Sequence, residues 1–225
     1  MTNHEFERVI EEAARQYRSS GRYAWQFARG KLRFDPLFRG LLHELHAIER
    51  GTILDLGCGQ GLLFACLAAA RGSSIGRAVN LHGIELRAAA SSVARRALAD
   101  GAHIECSDVR HAHFPHASCI VIADVLFYMS RREQEDVLRK AVDALAAGGT
   151  LLLREADAEG GWRFRLTEWA ERLTYAARGR LWQPLTYRSC DEWVTALAEL
   201  GLTVTMRRLS EGTPFSNMLY VGRKH

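Results

Sequence analysis

The sequence predicts a three-layer α/β domain, with helices on both faces of a mostly parallel sheet. Three observations carry that prediction. From residue 52 onward, short β-branched or leucine-rich runs alternate with helical patterns. Two of the helical patterns open on Ser-x-x-Glu capping boxes, at Ser130–Glu133 and Ser189–Glu192. The first strand runs straight into a glycine turn, TILDLGCGQG at 52–61. Such alternation implies right-handed crossovers between parallel strands. A chain of 225 residues is long enough for one such domain with a real core and short for two.

The first fifty residues read as a helical cap. Phe6, Val9, Ile10, Ala13 and Tyr17 fall at helical spacing, and Ser19-Ser20-Gly21 breaks the run. A second helix covers about 22–32, and a third about 36–48 with Asp35 as N-cap and Pro36 at the first helical position. Residues 51–225 then form one globular unit with the cap. Strands are expected at about 52–56, 81–85, 103–106, 119–123 and 150–154, and helices at 61–71, 87–100 and 130–147, the last closing at Gly148-Gly149. An insertion at about 156–189 is too long and too aromatic for a simple connection, carrying Trp162, Phe164, Trp169, Tyr175, Trp182 and Tyr187. It reads as a helix over 162–178 and an extended piece around Pro184. The second capping box starts a helix that ends at Gly201, and strands at 202–209 and 218–223 close the chain as a hairpin.

The glycine turn carries the chemistry. Gly57, Gly59 and Gly61 permit unusual dihedrals and let a ligand lie against the main chain. The helix that follows presents free N–H groups and a positive dipole end. A dinucleotide would place a pyrophosphate there, but Leu62 stands where that fingerprint wants a third small residue, and Asp55 adds a negative charge at the mouth. An acid suits a cationic ligand, and S-adenosylmethionine carries both a sulfonium and an ammonium.

Asp-x-Gly-x-Gly-x-Gly after a strand resembles the first motif of class I S-adenosylmethionine-dependent methyltransferases. The closing hairpin resembles the end of that family's Rossmann-like seven-stranded sheet, whose last strand is antiparallel. The resemblance covers roughly 52–149 and the hairpin; the N-terminal helices and the insertion lie outside it, where such enzymes build a lid over the acceptor. It implies S-adenosylmethionine as cofactor and S-adenosylhomocysteine as product. Glu85 stands at the family's ribose acid, and a carboxylate offers paired acceptors for two hydroxyls. Asp108 resembles the acid that accepts from the adenine amino group, with the Val109 N–H meeting the ring and Leu86 packing on its face. Asp124 matches the position beside the methionine moiety, and Cys58 and Gln60 fill the variable slots of the loop.

Methyl transfer from a sulfonium needs alignment and exclusion of water more than a catalytic signature, and the sequence contains none. Candidates facing the acceptor are Tyr128 after strand four, Arg154 and Glu155 after strand five, and Tyr23 and Trp162 among the lid aromatics. Tyr187-Arg188 could bind a carboxylate or phosphate, although a solvated arginine reads equally well. These residues point to a small, apolar or aromatic acceptor, free or on an acyl carrier. The segment at 27–36 is also similar to methyltransferases encoded with bacterial aryl-polyene pigment pathways. The rival readings are an NAD(P)-binding oxidoreductase, a non-catalytic S-adenosylmethionine-binding module, and an RNA or protein methyltransferase. The last is disfavoured by Ala123-Asp-Val-Leu-Phe-Tyr128, which lacks an Asn-Pro-Pro-Tyr pattern.

The net charge of +4 is scattered, with no basic run or aromatic-interleaved stripe of the nucleic-acid kind. Five cysteines, an odd number without CxxC spacing, suggest reduced thiols in a cytoplasm and no zinc. His111, His113 and His116 read as an exposed loop. No stretch is apolar enough to span a membrane.

Overall fold

The computed structural model describes residues 1–70, 78–177 and 184–225. The expected helix ends at Arg71 and Arg178, and Trp182, lie outside the described residues. Helices α1 (Asn3–Arg15), α2 (Arg22–Phe34) and α3 (Leu37–Leu45) precede the sheet. Strands β1 (Arg50–Leu56), β2 (Ala78–Glu85), β3 (His103–Cys106), β4 (Ala117–Ala123), β5 (Leu145–Ala156), β6 (Leu202–Arg208) and β7 (Asn217–Lys224) form one sheet in the order β3-β2-β1-β4-β5-β7-β6. β1 to β5 pair in parallel, and β7 runs antiparallel to both its neighbours, as expected of the closing hairpin. Strand order reverses between β1 and β4, and in open sheets ligands settle beyond the carboxyl ends of the strands at that point.

The helices between strands are α4 (Leu62–Ala70), α5 (Ala88–Leu98), α6 (Arg131–Ala144), α7 (Trp162–Ala177) and α8 (Cys190–Glu199). α4 explains why the cap exists. Leu62, Leu63, Phe64, Ala65, Cys66 and Leu67 are consecutive and all buried, so the helix has no polar face to give to water. A helix apolar all round must be covered on both sides. The sheet covers one side and the cap the other, through Phe6, Val9, Ile10, Ala13 and Tyr17 in the same buried cluster. The opposite face of the sheet is covered by α6 and α8, with Val137, Leu138, Ala141, Trp193 and Leu197 in a second cluster.

Most boundaries move by a few residues: α3 ends at Leu45 and not at Ile48, and β2 and β5 begin at Ala78 and Leu145 and not at 81 and 150. α3 begins at Leu37 and not at Pro36, yet Asp35 Oδ1 still accepts from the Leu37 N–H at 2.9 Å. α6 stops at Ala144, because Leu145 is already extended (φ −69°, ψ 134°) and pairs with Ala117. Gly148-Gly149 thus falls inside β5, where the register shifts between Ala117 and Cys119. Both capping boxes form with reciprocal bonds, Ser130 with Glu133 and Ser189 with Glu192.

The cap is also tied to the sheet by polar contacts. Tyr17 Oη donates to Gln60 O at 2.8 Å, in the glycine turn itself. Arg154, at the end of β5 and 2% exposed, reaches Asp35 Oδ1 with Nη1 at 2.7 Å and Asp124 Oδ1 with Nε at 2.9 Å, while Nη2 meets the second Asp124 oxygen. Burial alone would raise the Asp35 carboxyl, but Arg154 and Lys31 hold it well below the usual carboxylate range. Removing one member of a buried ion pair strands the other charge. Arg154→Met is therefore expected to lower unfolding stability by about 3 kcal/mol, measured by denaturant titration. A loss below about 1 kcal/mol would show that the triad does not hold the cap.

Candidate functional site

The site begins where β1 ends. Asp55 pairs across to Gly83 on one side and Val121 on the other, so its side chain is locked inside the sheet and is 6% exposed. Gly57 and Gly61 then turn the chain with φ of +83° and +75°, a region that L side chains rarely adopt. Space forbids a side chain as well: a Cβ on Gly57 would lie 2.3 Å from Val125, and one on Gly61 2.7 Å from Leu98. The N–H groups of Gly57 and Cys58 both donate to Ile84 O, at 2.7 and 3.1 Å. That fork ties the turn to the end of β2 and brings in the next residue, Glu85.

Glu85 lies beneath the turn at 4% exposure, its Oε2 accepting from the Gly59 N–H at 2.8 Å. Burial, and then the nearby Glu85, push the Asp55 carboxyl up to about 7. A negative charge on Asp55 would be buried beside Glu85, and a cationic ligand would relieve that repulsion. Cys58 is buried, and burial pushes its thiol well up, so it is a packing residue rather than a nucleophile.

Two arginines that sequence reasoning missed lie on these acids. Arg87 donates to Glu85 Oε1 through Nε at 2.7 Å and through its own N–H at 2.8 Å. Arg110 does the same two residues after Asp108, with Nε 3.0 Å from both oxygens and Nη2 2.5 Å from Oδ2. The Arg110 hydrogen bonds lower the Asp108 carboxyl. The signal was in the sequence as acid-x-Arg twice, Glu85-Leu-Arg87 and Asp108-Val-Arg110. Arg87 and Arg110 are 47% and 37% exposed, so either guanidinium can turn into water, and the buried Glu85 then needs replacement donors such as ligand hydroxyls. The acids therefore fit a ribose and an adenine amino group once the guanidinium groups turn aside. Leu86 offers an apolar face between them, 49% exposed, and Val109 is buried at the end of the same rim.

A cavity opens beyond β4 and β5. Asp124, with φ of +58°, ends β4 and lines a cavity of about 320 Å³. Its walls are the α2–α3 joint (Gly30, Lys31, Phe34, Asp35, Pro36), Phe127, Arg154 and Ala156, α7 (Thr167, Ala170, Glu171), Tyr187, and Thr213, Phe215 and Asn217 from the last hairpin. Gly57 packing on Val125 places the glycine turn directly beside the residue after Asp124.

The residues expected to face the acceptor divide. Arg154 and Tyr187 line the cavity. Tyr128 lies next to it, its hydroxyl donating to Glu171 Oε2 at 3.1 Å. Tyr23 and Trp162 do not line it, and their side chains are 81% and 65% exposed. Arg188 is turned the other way and 4% exposed, with Nε on Gln134 Oε1 at 2.6 Å and Nη2 on Glu135 at 3.1 Å. It is neither solvated nor available to a substrate carboxylate. Glu155 alternates to the face opposite Arg154 and accepts from the Leu126 N–H at 2.9 Å. His111, His113 and His116 are exposed, and among the described residues no His, Cys, Asp and Glu group could hold a metal. Among those residues, too, no helix is long and apolar enough to cross a membrane.

Residues 53–149 match the family described as "Methyltransferase domain". Carboxy-S-adenosyl-L-methionine synthase of Helicobacter pylori is 30% identical over 111 residues, 48% of this chain and 44% of that protein, so the match spans less than half of the relative. Among solved structures, the S-adenosylmethionine-dependent methyltransferase SibL superposes with a TM-score of 0.64 at 20% identity, covering 90% of this chain and 57% of SibL. Human N-acetylserotonin methyltransferase in complex with S-adenosylmethionine also gives 0.64, at 15% identity, over 99% of this chain and 59% of that enzyme. At these identities the superpositions carry the fold, and the family match adds the glycine turn with its flanking strands. The stretch 53–149 is thus similar to a methyltransferase domain, and the chain as a whole has the fold of these S-adenosylmethionine-dependent methyltransferases.

Proposed function

We propose that this protein transfers the methyl group of S-adenosylmethionine to a small apolar or aromatic acceptor, presented free or on an acyl carrier, by in-line displacement. The observation that supports this best is the adjacency of the acid-rimmed glycine turn and the aromatic cavity, Val125 lying against the turn and Asp124 in the cavity wall. S-adenosylmethionine, when bound, supplies a methyl already activated on sulfur. Asp55, Gly57, Cys58, Gly59 and Gly61 would form the floor of its site. Glu85 would accept from the ribose hydroxyls, Leu86 would pack on adenine, and Asp108 with the Val109 N–H would hold the adenine edge. Asp124 would lie beside the methionine end and, clamped by Arg154, keep its place during transfer. The protein's work is then alignment and the exclusion of water between α2 and α7. Five free thiols fit a reducing cytoplasm as the compartment.

Calorimetric titration is expected to show binding of S-adenosylmethionine and none of NADH. Glu85→Ala and Asp108→Ala should each weaken the cofactor about tenfold or more, the worth of a hydrogen bond to a charged group. Unchanged affinity in both variants would mean that the pocket is elsewhere. Turnover is read as S-adenosylhomocysteine formed with an acceptor that fits the cavity; cofactor binding without turnover across neutral phenols would favour a non-catalytic module.

Asp55 makes a pH prediction. Below about pH 7 it holds a proton that a cationic ligand must displace, so cofactor affinity falls as pH falls. Between pH 8 and pH 6 the expected loss is up to about tenfold, the most that one proton of this pKa gives. Asp55→Asn should bind more weakly but with a flat profile over that range. A flat wild-type profile would remove Asp55 from the site.

A further inference from the structure

Two residues that line the acceptor cavity carry a hydroxyl group with no partner among the described residues. Tyr187 Oη and Thr213 Oγ1 are both buried without a hydrogen bond, and both residues line the cavity. Buried polar groups are nearly always satisfied, and each exception asks for an explanation. Tyr187 cannot swing away to find one. Its ring stacks on Phe127 with centroids 5.2 Å apart and planes at 16°, and Phe164 meets it edge-on at 5.0 Å. The backbone on its N-terminal side is pinned as well. The Thr186 N–H donates to Phe127 O at 2.8 Å, and Thr186 O accepts from Gln134 Nε2 at 2.8 Å. Arg188 on the C-terminal side is held by the same Gln134. Burial keeps the Tyr187 phenol above its ordinary range, so it stays protonated and can both donate and accept.

The charges of the lining point the same way. Lys31 Nζ lies 2.7 Å from Asp35 Oδ2, and Arg154 is engaged by Asp35 and Asp124. Among the described lining residues no other lysine or arginine is present. An anionic ring entering this cavity would lose its water and meet no open cation among the described residues, and a buried unpaired charge is costly.

We propose that Tyr187 and Thr213 select the acceptor, and that it is an uncharged aromatic ring bearing a hydroxyl or amino group that hydrogen-bonds to these two hydroxyls, with carboxylate-bearing rings rejected. The aromatic walls, Phe34, Phe127 and Phe215, take the ring itself. The inference rests on the methyl-transfer reading above and narrows it to a substrate class.

The test is calorimetric titration of protein saturated with S-adenosylhomocysteine, using 4-methylphenol, toluene and 4-hydroxybenzoate. The expected result is 4-methylphenol binding at least about tenfold more tightly than either of the others, the discrimination of one well-placed hydrogen bond. Tyr187→Phe should bring 4-methylphenol down to the level of toluene while its S-adenosylhomocysteine Kd stays that of the wild type, which shows the fold intact. Equal binding of the three rings, tightest binding of 4-hydroxybenzoate, or an undiminished preference in Tyr187→Phe would overturn the proposal. If S-adenosylhomocysteine does not bind, the methyl-donor reading falls, and the same ring series on the protein alone still decides whether the cavity discriminates. If it binds and the rings are not discriminated, only the acceptor inference falls.

Discussion

The guanidinium of Arg154 joins three pieces of chain that no local interaction would bring together. Asp35 comes from the cap, Asp124 from the end of β4 and Arg154 from the end of β5. Forming such a triad in the interior gains little over apolar packing, because three groups lose water. Breaking it is costly, since each carboxylate is then left facing protein. The consequence is specificity of position more than raw stability. One cavity wall is set by the cap and another by the sheet, and the triad fixes the distance between them. It also holds Asp124 in a left-handed backbone conformation uncommon for a residue with a side chain.

The cofactor side obeys a different logic. There the carboxylates of Asp55 and Glu85 lie close under one turn, and burial with mutual repulsion keeps Asp55 from ionising readily. The half-exposed guanidinium groups of Arg87 and Arg110 cover the buried Glu85 and the partly buried Asp108. The cavity is thus held by a buried triad, and the rim of the glycine turn by pairs whose arginines reach water. Electrostatic strength follows burial in both cases.

The elements were legible because their signals are local. Strand runs, helical spacing and capping boxes depend on residues within a few positions of one another, and each of the seven expected strands overlaps an observed one. The helix boundary at Ala144 was misread because Gly148-Gly149 is a common stop signal, whereas the pairing of Leu145 with Ala117 on a neighbouring strand ended the helix sooner. The glycine turn and the four acids at strand ends were legible for a related reason. Topology places every strand end of a parallel sheet on one rim, so an acid after a strand is already located in space.

The sequence by itself determined the layered fold, the glycine turn and the acids that follow the first four strands. These follow from dihedral freedom, periodicity and charge carried by contiguous residues. Only the tertiary structure decided which aromatic and charged residues form the acceptor cavity. It turned Arg188 inward to Gln134, left Tyr23 and Trp162 outside, and set Tyr187 and Thr213 around the same space from segments far apart in the chain. The direction a side chain takes at such a junction is set by packing against distant segments, and no local pattern encodes it.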